Sequence, residues 1–225
     1  MSKTCCQIFH SSIFKKTIVA LTGLIMIGFV FVHMLGNLQI FAGAGPSVDS
    51  TKINAYAALL KSQPLILWGS RLFLLLTVAT HVLMTISLTQ ANRESRPQPY
   101  QMRKTYASAA SRMMIFGGLT LLFYIVYHIL HFTTGSVHSD LFSRHDVYSN
   151  VVLSFQNPVI VLVYVVAQIA LFGHLYHGTV SVFQTLGFYR PSHIALIKAA
   201  GITLALVICA GFISIPVSVY FGLVS

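Results

Sequence analysis

The sequence predicts an all-α integral membrane protein of five transmembrane helices, four forming a core and one lying at its periphery. Three observations carry that prediction. Of the 225 residues, 56% have apolar side chains and 8% are charged, where a soluble domain carries about a quarter charged. Five apolar stretches, about 17–41, 65–88, 112–133, 158–185 and 195–222, are each long enough to span the bilayer, since about 20 residues rising about 1.5 Å each cross a hydrocarbon layer of roughly 30 Å. Histidines lie inside four of these stretches, and no Asp or Glu lies inside any of them. The whole chain, 1–225, reads as one domain.

The first span, TIVALTGLIMIGFVFVHMLGNLQIF, follows a polar, basic lead with Lys3, Lys15 and Lys16. A cleavable signal peptide has a shorter apolar core followed by a small-residue cleavage site, so this helix is expected to be retained. A Gly- and Pro-containing loop, 43–52, leads to INAYAALLKS. There Ile53, Tyr56, Ala57 and Leu60 share one helical face, the pattern of a short interfacial helix. The second span carries Arg71 near its start and His81 late. A polar stretch, 90–111, precedes the third span, which opens at Arg112 and ends on His128 and His131. Residues 133–157 read as a loop. The fourth span begins at Pro158 and holds His174 and His177. The fifth has no histidine and is expected to kink or end near Pro216.

The net charge of +10 does not point to nucleic acid, because the cations lie between apolar runs rather than in one patch. They instead fix orientation. With the N-terminus inside, Lys3, Lys15, Lys16, Arg93, Arg96, Arg103, Lys104, Arg112, Arg190 and Lys198 fall inside, and only Lys52, Lys61, Arg71 and Arg144 fall outside. That is a positive-inside bias, and it puts the C-terminus outside. Cys5, Cys6 and Cys209 provide no disulfide framework.

The depths of the histidines are the functional signal. His33 lies 16 residues past Thr17, and His128 lies 16 past Arg112 on a helix running the same way. Both therefore reach about 24 Å from the inner face. His81 lies 16 past Leu65, and His174 and His177 lie 16 and 19 past Pro158, on helices running the other way. The result is two histidine pairs at two levels, roughly 15 Å apart. Bis-histidine ligation of two stacked haems in a four-helix bundle has that layout. Gly23, Gly28, Gly36, Gly117, Gly118, Gly173 and Gly178 would leave room for flat macrocycles, although glycine also serves membrane helix packing. A haem-free transporter with a histidine proton relay is the competing class, and such relays use intramembrane acids that these spans lack. Spacing does not choose between His128 and His131, or between His174 and His177, because each pair is i, i+3. His10, His138, His145 and His193 fall in tails and loops and read as solvated.

Several segments resemble one known family. They are LTGLIMIGFVFVHMLGN (21–37), THVL (80–83), the run 111–132 with GGL and YHILHF, and YHGTVSVFQTLG (176–187). The chain from about Lys15 to Gly222 is similar to the diheme cytochrome b membrane-anchor subunit of succinate dehydrogenase and quinol:fumarate reductase, of the single-anchor, five-helix type. The resemblance implies that His33, His81, His128 and His177 ligate two haem b. It implies partners on the cytoplasmic side of a bacterial membrane, a flavoprotein that interconverts succinate and fumarate and an iron–sulfur subunit, and electron exchange with membrane quinone, menaquinone being expected. Such members place an acid near the quinone, whereas the matching segment here offers Asn54, Tyr56 and Lys61, with Asp49 upstream. Asn54 and Tyr56 are accordingly the expected quinone contacts. Arg71 and Arg112 are the expected partners of the outer and inner haem carboxylates, since unpaired charges at the membrane faces are costly. A cytochrome b anchor of formate dehydrogenase or hydrogenase is the neighbouring alternative.

Overall fold

A computed structural model describes residues 11–42, 51–94 and 109–225, with the side chains of 109–113 outside that description. Helix α1 (Ser12–Asn37) starts on an N-cap at Ser11, whose hydroxyl accepts from the Phe14 amide at 3.1 Å, and it continues as a 3-10 turn over Leu38–Ala42. The interfacial helix α2 (Lys52–Lys61) is followed by α3 (Pro64–Glu94), which extends past the expected end into the polar stretch. Helix α4 (Ala109–Ile129) passes into a π-helical turn, Leu130–Thr134, and stops at Gly135. Gly135 takes a φ of 68°, and the Phe142 ring packs where its Cβ would stand, so only glycine suits that stop.

The segment expected to be a loop, 133–157, contains a helix, α5 (Val147–Phe155). Asp146 caps it, its carboxylate accepting from the Ser149 amide at 2.9 Å. The N-cap acid supplies one of the acceptors that a helix start otherwise lacks. Helix α6 (Pro158–Thr185) begins on an Asn157 cap with proline at its first position, where the missing N–H costs nothing. Helix α7 (Ile194–Tyr220) runs through Pro216 rather than ending there. Five helices are long and apolar enough to cross a membrane, and no strand occurs among the described residues.

Helix α1 packs along α3, α4 along α6, and α6 along α7, with α1 also touching α6 and α7. In lipid no hydrophobic effect drives helices together, so close approach depends on small residues. The α6–α7 seam illustrates this. Gly201 of α7 lies where a Cβ would sit 3.5 Å from Thr179 and Tyr176, and Ala205 beside it is fully buried. Lys15 bonds Ser87 at 2.8 Å, joining the start of α1 to the late part of antiparallel α3. At the opposite end, α2 and α5 fold over the bundle. Ile53, Val151, Val152 and Phe155 join Ile40, Ile160 and Val219 in one apolar cluster there. Neither α1 and α4 nor α3 and α6 pack closely along their backbones. Those two open seams are where the histidines meet.

Candidate functional site: two facing histidine pairs

At the end covered by α2 and α5, His33 of α1 faces His128 of α4, with ring centroids 5.9 Å apart and planes at 86°. Phe29 stacks on His33 at 5.3 Å, and Tyr124 and Phe132 flank His128 at 5.7 and 5.8 Å. The fifth membrane span, α7, also touches this level, its Phe212 reaching His33 at 5.9 Å.

At the other level His81 of α3 faces His174 of α6, with centroids 6.4 Å apart and planes at 62°. His81 lies against Gly23 of α1 and His174 against Gly118 of α4, each imidazole Cε1 within 3.8 Å of where a Cβ would stand. These contacts also measure the spacing between levels. From Gly23 to His33 is ten residues of α1, and from Gly118 to His128 is ten residues of α4, about 15 Å in both cases.

Each pair is close enough for both of its imidazoles to hold one metal cofactor between the helices. An imidazole nitrogen about 2.0–2.1 Å from a metal puts its ring centroid about 3.2 Å from that metal, so two imidazoles sharing one metal would have centroids at most about 6.4 Å apart. The observed 6.4 Å reaches that limit and the observed 5.9 Å lies within it. Among the described residues no group of three or more His, Cys, Asp or Glu side chains is gathered. Each pair would offer two imidazoles, so a metal held there would need its other donors from a cofactor. No side chain lies within 4 Å of where a Cβ would stand at Gly28 or Gly173, on the helices that carry His33 and His174.

Hydrogen bonds fix the tautomer of His81. The Thr22 hydroxyl lies 2.7 Å from the Ile18 carbonyl and 2.9 Å from Nδ1 of His81. A carbonyl only accepts, so both contacts are satisfied together when Thr22 donates to Ile18 and His81 donates from Nδ1. That leaves the Nε2 lone pair for a metal, the usual arrangement of a ligating histidine. Nδ1 of His174 is buried and has no partner among the described residues.

His131, the alternative to His128, is 2% exposed and has both nitrogens engaged, Nδ1 with the Tyr164 hydroxyl at 3.0 Å and Nε2 with the Ser154 hydroxyl at 2.9 Å. It has no lone pair to offer a metal. His177, the choice from resemblance, is half-buried one turn beyond His174, and the ring that meets His81 is that of His174. The residues missed by sequence reasoning are Thr22, Tyr164, Ser154 and Phe212. His138 is not solvated as expected. A left-handed backbone at φ 57° turns it back, so that Nε2 lies 3.2 Å from the Tyr127 hydroxyl and its ring 5.1 Å from that of His131.

The other expected contacts fare differently. The Arg71 guanidinium sits 4.9 Å over the exposed Trp68 ring, the placement of an interfacial anchor. The Arg112 side chain lies outside the described residues, as do Cys5, Cys6 and Asp49. Asn54 is 6% exposed and occupied in joining α2 to α5. Its amide donates to Asp146 at 3.0 Å, and its carbonyl accepts from the Tyr148 amide at 2.9 Å. Tyr56 lies across Gly36, with ring and hydroxyl 2.8–3.4 Å from where a Cβ would be, one turn past His33. Lys61 donates to the Arg144 carbonyl at 2.6 Å, and partial burial with Arg144 and Arg71 nearby lowers its ammonium from the usual lysine range.

Searches among curated proteins and among solved structures gave no match. The family model described as the succinate dehydrogenase/fumarate reductase transmembrane subunit matches residues 89–215, more than half of the chain, and that stretch contains His128, His131, His174 and His177. Together with the five membrane-length helices, that match places this chain in the family of succinate dehydrogenase/fumarate reductase transmembrane subunits.

Proposed function

We propose that this chain is the membrane anchor and electron-transfer subunit of a succinate:quinone oxidoreductase, holding one haem b between His33 and His128 and a second between His81 and His174. The observation that supports this most is the pair of inter-helix histidine contacts, both close enough for two imidazoles to share one metal, on two levels about 15 Å apart. The bound groups would supply two one-electron carriers in series.

The chain's own residues do the rest. Thr22 orients His81, and Phe29, Phe212, Tyr124 and Phe132 exclude water around the outer pair. Electrons would enter from an iron–sulfur subunit, itself fed by a flavoprotein, docked on the cytoplasmic side where the basic segments lie. They would leave or arrive at membrane quinone, menaquinone in this reading. With the N-terminus inside a bacterial cytoplasmic membrane, the His33–His128 level faces outward. Tyr56 remains the candidate hydrogen-bonding group for a quinone beside that level, while Asn54 holds the covering helices together. Arg112 stays the candidate partner for the inner haem carboxylates.

The experiment is a reduced-minus-oxidised absorption spectrum of the chain purified from membranes, combined with identification of the subunits that copurify. Two b-type haems and a copurifying flavoprotein with its iron–sulfur partner are expected. A chain without haem would overturn the reading.

A further inference from the structure

Behind His128 a line of polar side chains runs into the part of the bundle covered by α5. The Tyr164 hydroxyl of α6 lies 3.4 Å from Nδ1 of His128 and 3.0 Å from Nδ1 of His131, and Nε2 of His131 lies 2.9 Å from the Ser154 hydroxyl. Tyr164, His131 and Ser154 are 6%, 2% and 1% exposed, so water does not compete for these contacts. The π-helical turn at Leu130–Thr134 begins two residues after His128 and contains His131. Single π turns interrupt α-helices frequently at functional sites.

Counting protons gives the line a direction. Tyr164 has one hydroxyl proton and two imidazole neighbours, so it accepts from one and donates to the other. His131 likewise donates through one nitrogen and accepts through the other. If His128 is a metal ligand through Nε2, its Nδ1 carries a proton and donates to Tyr164. Tyr164 then donates to Nδ1 of His131, and His131 donates from Nε2 to Ser154. Every group is used once in the required sense.

We propose that Tyr164 and His131 are positioning residues for His128. They fix its tautomer and orientation, and by accepting its Nδ1 proton they raise its strength as an electron donor to the metal. The inference rests on the haem reading above. A stronger imidazole donor favours the oxidised metal, so this line holds the outer haem at a lower potential than an unsupported His128 would. The inner level has a separate device in Thr22, and the two levels are therefore tuned independently.

The test is a redox titration of the purified complex followed by haem absorbance, with electron paramagnetic resonance of the oxidised haems, in the parent protein, Tyr164→Phe, His131→Leu and His131→Gln. Tyr164→Phe should raise the midpoint potential of one haem and move that haem's low-field resonance, leaving the other haem unchanged. His131→Leu, which removes the acceptor for the Tyr164 proton, should shift the same haem in the same direction by less, and His131→Gln should restore it. Should Tyr164→Phe lose the outer haem altogether, the His131 variants carry the test. Two haems at parental potentials with unchanged resonances in Tyr164→Phe and His131→Leu would overturn the proposal, even if both variants melt at lower temperature. A parent protein without two haems would instead overturn the functional reading on which it stands.

Discussion

The Thr22 hydroxyl and Nδ1 of His81 lie 2.9 Å apart across the α1–α3 contact, and the Thr22 proton is directed to the carbonyl of Ile18 on its own helix. A threonine in a membrane helix commonly bonds back to the preceding turn. Here that bond leaves the oxygen lone pair facing a histidine on another helix. Replacing Thr22 by Val keeps the shape and removes the acceptor. Loss of such a partner typically weakens metal binding about 10–100-fold. Haem transfer from Thr22→Val to excess apomyoglobin should therefore be faster for one haem only, with Thr22→Ser close to the parent. Equal release of both haems would remove Thr22 from the ligand's support.

Ligand identity gives the next prediction. Alanine at His33, His81, His128 or His174 should each reduce the chain to one haem, measured as haem per polypeptide. His177→Ala should retain two. His131→Ala should retain two as well but destabilise the fold, because it leaves Tyr164 and Ser154 buried with one fewer partner each, at about 1–3 kcal/mol per unsatisfied group.

Arg71 stacks on exposed Trp68. Its replacement by Gln should leave both haem potentials where they are and lower thermal stability slightly, since an exposed cation–π contact contributes about 0.5–1 kcal/mol. A shift of the outer haem potential in Arg71→Gln would restore the carboxylate-partner role expected from the sequence.

Asp146 caps α5 and also accepts from Asn54 of α2. Partial burial works against its charge, but the bonds from Ser149 and Asn54 prevail and hold the carboxyl below its usual range. A depressed folded-state pKa contributes stability that is present above the unfolded value, about 3.9, and is lost as pH falls through the folded value. Asp146→Ala should lower stability by about 0.5–2 kcal/mol, as loss of an N-cap does, and should remove the corresponding acid sensitivity. Thermal melts in detergent between neutral pH and about pH 3 check both. Asn54→Ala should behave similarly and leave quinone kinetics unchanged, whereas Tyr56→Phe should reduce quinone turnover with succinate–dye activity intact.

Much of this arrangement was legible in the sequence because it depends on one number, the helical rise. Depth along each span placed His33 with His128, and His81 with the end of the fourth span. Rotation about a helix axis was not legible. His174 and His177 differ by about 60° around α6, and only packing against α3 decides which ring meets His81. The choice between His128 and His131 turned on Tyr164 and Ser154, which lie on elements far away in the chain. Helix α5 was missed because it is short and lies between polar stretches. Its signals were the Asp146 cap with Ser149 three residues on, and the apolar pattern of Val151, Val152 and Phe155. Asn54 looked available because its polarity is visible in the sequence and its two partners, 92 and 94 residues away, are not.

The central claim is that two histidine pairs, His33 with His128 and His81 with His174, each hold one haem. The most direct measurement is the pyridine haemochrome count per chain in the parent protein and in His174→Ala, both purified as intact complexes. The account predicts two haems b in the parent and one in the variant, the remaining haem keeping its parental spectrum. Two haems in His174→Ala, or none in the parent, would contradict it.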